Sequence, residues 1–154
     1  ERLLRADSEA LVALGESYVR LTIDGLLAKV LIERGALDEA EAFAIAVRDE
    51  AGEDDADAQA LWRTALAGVL ARRGRFDEAL ALAEAAVGIR RAGQAPMDLA
   101  DALERLGEVR ALAGRRTGPG GAEGAYREAV RLATAKGDVV SAARLRGAMV
   151  AGRA

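Results

Sequence analysis

Leu66-Ala-Gly-Val-Leu-Ala-Arg-Arg-Gly74 is one of three stretches in this chain that say nearly the same thing. The others are Leu27-Ala-Lys-Val-Leu-Ile-Glu-Arg-Gly35 and Leu106-Gly-Glu-Val-Arg-Ala-Leu-Ala-Gly114. Each reads Leu-small-x-Val, then a turn of helix, then Gly. The three glycines lie 39 and 40 residues apart. Self-similarity at such a period marks a chain built of stacked units, each too small to bury its own apolar face. The residues after each glycine repeat too. Gly35 leads to Ala-Leu-Asp-Glu-Ala40-x3-Ala44-x2-Val47 and Gly74 to Arg-Phe-Asp-Glu-Ala79-x3-Ala83-x2-Ala86. After Gly114 the string resumes late, as Ala122-x3-Tyr126-x2-Ala129. Each unit is helix, Gly-centred turn, helix.

The turn chemistry agrees with that division. Gly35, Gly74 and Gly114 each close a first helix, because glycine enters the left-handed C′ conformation at little cost. Asp38-Glu39 and Asp77-Glu78 then fall in the first turn of the next helix, where carboxylates meet the positive end of the helix dipole. The acidic stretch Gly52 to Asp57 reads as a solvated loop, with Asp54, Asp55 or Asp57 capping the helix after it. Asp98 is the expected cap of the third unit's first helix, and Asp138 of the last helix.

A leading helix over about 1–15, three hairpins over about 17–50, 57–91 and 97–136, and a final helix over about 138–151 make eight helices in one domain of 154 residues. In the first hairpin Leu26, Leu27, Val30 and Leu31 form the expected inner stripe. Val139, Val140, Ala143, Leu145 and Val150 are expected to pack inward from a final capping helix. At the other end, Leu3, Leu4, Leu11, Val12 and Leu14 lack a covering first helix. That face is expected to contact a preceding repeat, or in isolation to drive weak self-association.

The helix-turn-helix units with their Leu-small pair, turn glycine and Ala-x3-aromatic-x2-Ala string resemble the tetratricopeptide repeat over roughly residues 22–136. The units are longer than that family's usual repeat of about 34 residues. Only Tyr126 keeps the aromatic of the second helix, and Trp62 approximates the early tryptophan. The overall run, such as Ala60-Leu-Trp-Arg, is similar to C-terminal repeat regions of large bacterial regulators, among them transcriptional activators and nucleotide cyclases with an ATPase module. The resemblance implies an all-α, right-handed superhelical solenoid with a groove lined by the first helix of each unit. Matched onto that pattern, Thr22, Lys29 and Glu33 line it from the first unit. Thr64 and Arg72 do so from the second, with Trp62 as a partial platform. Asp101, Glu104 and Glu108 do so from the third. The implied function is recognition of a protein or peptide, or of a neighbouring domain of the same polypeptide. The alternative is a sensor whose groove takes a small molecule or peptide signal.

Composition narrows the chemistry. Cysteine and histidine are both absent, which removes disulfides, cysteine metal clusters, the commonest general base and the Ser-His-Asp arrangement together. An enzyme and a cofactor are therefore not expected. The acidic loop lacks the spacing of a helix-loop-helix calcium site. Thr117-Gly-Pro-Gly-Gly121 has no Lys-Ser/Thr after it and no strand before it, so a surface insertion is expected, not a phosphate loop. No apolar run is long enough to span a membrane. The start carries no secretory signal, and a cytoplasmic location is the expectation. Aromatics are 3% of the chain, and a net charge of −3 gives no broad basic surface, so direct nucleic-acid binding is not expected either. Charge is unevenly placed: residues 1–104 hold 12 basic against 21 acidic side chains, and residues 105–154 hold 10 against 4.

Overall fold

The computed structural model describes residues 1–115 and 120–151. These form eight α-helices and no strand: α1 (Arg2–Leu14), α2 (Ser17–Glu33), α3 (Leu37–Glu50), α4 (Ala56–Arg72), α5 (Phe76–Ala92), α6 (Pro96–Leu112), α7 (Ala122–Lys136) and α8 (Val139–Ala151). Each helix packs on the next in the chain. In addition α2 packs on α4, and α4 on α6, so these three lie side by side in one row.

The repeating positions are the core. Ala40, Ala79 and Ala122, then Ala44, Ala83 and Tyr126, then Val47, Ala86 and Ala129 are all buried. So are Leu27, Leu106, Val69 and Val109 of the row helices. Small side chains at these places let helix axes approach, and the close packing of the interior then depends on few large residues. One cluster holds the second and third units, and a second joins α2 and α3 to Ala65 and Val69 of α4.

The turns between the row helices and their partners share one geometry. Gly35, Gly74 and Gly114 have φ of +77°, +78° and +75°. At Gly74 the backbone N–H donates to the Ala71 carbonyl and the next N–H, of Arg75, donates back to Leu70 at 2.9 Å. This double return satisfies carbonyls that the helix end leaves open, and only glycine takes the required conformation without strain. Asp55 caps α4, accepting from the Ala58 N–H at 3.0 Å, and Asp138 caps α8 through the Ser141 N–H at 2.9 Å. Asp98 does not cap α6: Ala95 stands at the cap with Pro96 opening the helix, and Asp98 turns to Arg90 at 3.5 Å.

Two apolar stripes differ from expectation. In α2, Leu27, Leu31 and Ile32 are buried, while Leu26 is exposed and Val30 half-buried. In α8, Ala142, Leu145 and Met149 face the neighbouring helix, and Val139, Val140, Ala143 and Val150 lie exposed. The helical period decides this: residues 142, 145 and 149 share one face, and the valines occupy the other. On α1, Leu4 and Leu11 are half-covered, whereas Leu3, Val12 and Leu14 are exposed. A buried polar tie fastens α1 to α2. Ser8 donates to Asp24 at 2.6 Å, and Arg20 pairs with the same carboxylate at 3.0 Å. The expectation for Thr117 to Gly121 falls mostly on residues outside the described ones.

Candidate functional site

Because α2, α4 and α6 are neighbours, their shared open side forms a groove. Two adjoining cavities occupy it. The larger, about 600 Å³, is lined by Lys29, Val30 and Glu33 from α2, Thr64 from α4, and Asp101, Glu104, Arg105, Glu108 and Leu112 from α6, closed by Tyr126 and Arg144. The smaller, about 300 Å³, is lined by Thr22, Leu26, Leu61, Asp57, Arg90 and Asp98. Lys29, Thr64 and Asp101 belong to both. At that seam Lys29 Nζ reaches across α4 to Asp101 Oδ2 at 2.8 Å.

The crossing is possible because α4 is thin here. Thr64 turns its hydroxyl back onto the Ala60 carbonyl at 2.8 Å, and one turn on comes Gly68. A Cβ at Gly68 would stand 2.9 Å from Cζ of Arg105. The missing side chain is thus the seat of the Arg105 guanidinium, which is only 6% exposed. Gly107 does the same for Tyr126, whose ring would lie 2.9 Å from an added Cβ. Two bare helix positions therefore carry the two large groups of the groove floor.

Arg105 and Arg72 share carboxylates. Arg105 hydrogen-bonds Glu108 and approaches Glu33 at 3.7 Å. Arg72 meets Glu108 at 2.7 Å and Glu33 at 3.2 Å. Arg144 reaches from α8 to Glu104, whose hydrogen bond raises the arginine above its ordinary range. Burial pushes the Tyr126 hydroxyl up to about 12, with Glu108 and Glu104 adding to the same direction. Two buried donors, Arg72 Nη1 and Arg105 Nε, have no hydrogen-bond acceptor. Burying a donor without a partner costs free energy, on the order of 1–3 kcal/mol. The groove thus presents charges of both signs along its walls.

Of the residues expected in a groove, Thr22, Lys29, Glu33, Thr64, Asp101, Glu104 and Glu108 line one or both cavities. Arg72 lines neither wall and joins through its two carboxylates. Trp62 does not belong: it is half-buried against Leu21, Val47 and Ala58. Its Nε1 donates to Gln59 at 3.1 Å and the Arg63 guanidinium lies 4.1 Å over its ring. An indole two residues before Thr64 points away from Thr64's side of the helix. Arg105, Tyr126 and Arg144 were not anticipated. The available signal was glycine inside two helices, at Gly68 and Gly107, where a missing side chain marks a close neighbour.

Among the described residues no group of acidic side chains is placed to hold a metal ion, and no helix is long and apolar enough to cross a membrane. No known protein family matches the chain, and no curated protein matches it significantly.

Proposed function

We propose that the chain is a right-handed superhelical stack of tetratricopeptide-like hairpins whose groove on α2, α4 and α6 binds an extended peptide or a segment of a partner domain. The observation that carries this reading is the pair of adjoining cavities along the row, about 600 and 300 Å³, joined beneath the Lys29–Asp101 bridge. A binding site on a row of helices presents side chains from successive repeats, and each repeat adds length to the surface. The wall is charged, with Lys29, Glu33, Asp101, Glu104, Arg105, Glu108 and Arg144 around the larger cavity. The two cavities run across three successive row helices, a span that suits an extended chain over a compact small molecule. In a regulatory polypeptide, occupancy of this groove would transmit a signal to attached domains.

The test is a selection from a random peptide library on the immobilised chain, followed by nuclear magnetic resonance mapping of one enriched peptide. The reading requires amide shifts on α2, α4 and α6 around Lys29, Thr64 and Asp101. Shifts confined to α3, α5 and α7 would overturn it.

A further inference from the structure

The two terminal helices of the packing order carry the same kind of surface with opposite charge. On α1 the side away from α2 bears Leu3, Ala6, Ala10, Ala13 and Leu14, which fall on one helical face and are all exposed. Leu3 and Leu14 are 73% and 76% exposed. Asp7 stands at one edge of that face, and Glu9 with Arg2 at the other. On α8 the side away from α7 bears Val139, Val140, Ala143, Gly147 and Val150, again one exposed face. Val139 and Val140 are each 75% exposed. Here Arg146 stands at one edge and Arg144, paired with Glu104, at the other. Both helices are 13 residues long.

The unpaired charges near these ends lean opposite ways, although Arg2 on α1 is also exposed and unpaired. Asp7, Glu9 and Glu16 are exposed and make no ion pair with any described residue; at the opposite end the same holds for Arg131, Lys136 and Arg146. Most charges between them are consumed by internal pairs such as Arg91–Glu128 at 2.8 Å and Arg110–Glu84 at 3.0 Å. An apolar face with a net acidic border at one end thus meets, in length and in the sign of its border, an apolar face with a basic border at the other.

We infer that α8 of one copy of this chain docks on α1 of a second copy, head to tail. Two α1 faces would bring net acidic borders together and two α8 faces basic ones, so the contact is heterologous. A heterologous contact leaves a free face at each end and propagates past the dimer unless a ring closes. Two short helices give a small contact, well below the size of a stable obligate interface, so assembly is weak and concentration-dependent.

Sedimentation of the whole chain tests this, at concentrations up to about 1 mM, where contacts worth only about 4 kcal/mol register. The average mass should rise with concentration and pass the dimer, and raising salt to about 0.5 M should weaken association roughly tenfold by screening the edge charges. Two exposed-face variants sharpen the test: Leu3→Glu with Leu14→Glu, and Val140→Glu with Ala143→Glu. Exposed substitutions of this kind leave folding intact, which circular dichroism checks. Each variant alone should be monomeric, and an equimolar mixture should give dimers and nothing larger, because one good face of each kind remains. A strictly monomeric parent chain, a single variant that still associates, a monomeric mixture, or association that strengthens with salt would each overturn the inference.

Discussion

In the groove, Lys29, Arg72 and Arg105 each meet a carboxylate of the same chain, whereas on the end helices Asp7, Glu9 and Arg146 meet none. The apolar residues divide the same way. Leu103 and Leu106 of α6 are buried, while Leu14 of α1 and Val140 of α8 are three-quarters exposed. The difference comes from neighbours, not from composition. A row helix has helices on several sides, so its apolar positions are covered and its charges find partners at fixed distances. An end helix has one neighbour, so one face is covered and the other keeps its apolar side chains and free charges. The middle of the molecule is thereby a finished surface that a ligand must fit, and the ends are unfinished surfaces that a partner must complete.

The largest expected effect breaks the comparison at its core. Leu103→Ala on α6 should cost about 2–5 kcal/mol, through lost transfer energy plus the cavity left behind. Leu14→Ala on α1 should change stability by no more than about 0.5 kcal/mol. Urea unfolding of both variants checks the contrast, and similar costs at the two sites would erase it. Next comes the groove floor. Gly107→Val places side-chain atoms where the Tyr126 ring lies and should cost about 1–3 kcal/mol by overpacking.

Much of this was legible in the sequence. The repeated Leu, Val, Ala and Gly positions fixed the helix order and the buried face of α3 and α5, because a period of about 40 residues superposes three copies of one local argument. The positive φ of Gly74 follows from the same alignment. What escaped is set by packing between units. Arg105 carries no signal of its own in the sequence; Gly68 on another helix gives it a seat. Val139 and Val140 read as inward because they are apolar, yet which face of α8 is covered depends on where α7 lies. Trp62 reads as a partial platform when matched onto the repeat pattern, and the helical period puts it on the side of Leu21 and Val47 instead.

A smaller effect reports burial at the groove floor through pH. The Tyr126 hydroxyl is raised from its ordinary 10.0 to about 12, so the folded chain keeps a proton that the unfolded chain gives up. Its contribution is present below pH 10 and is lost as pH rises from 10 to about 12. Tyr126→Phe should flatten that part of the stability profile, and an unchanged slope would show that the ring is not buried beside Glu104 and Glu108. The smallest effect is local to the basic end. The Ser141 backbone N–H, bonded to Asp138, holds this carboxyl below its ordinary 3.8. A depressed carboxyl stabilises the fold above the unfolded value, and that gain is lost as pH falls through the folded value. Amide exchange in the first turn of α8 should therefore quicken below pH 3.8. In Asp138→Asn it should stay level, since the amide oxygen caps without titrating.

Calorimetric titration of one library-selected peptide against three forms of the chain tests most directly whether groove and ends are separate recognition surfaces. The forms are the parent, a groove variant with Lys29→Asp and Glu33→Lys, and the end variant with Leu3→Glu and Leu14→Glu. Reversing two groove charges should weaken binding at least tenfold, about 1.4 kcal/mol or more, and the end variant should bind as the parent does. Equal affinity in all three forms, or a loss confined to the end variant, would contradict the assignment of the groove as the peptide site.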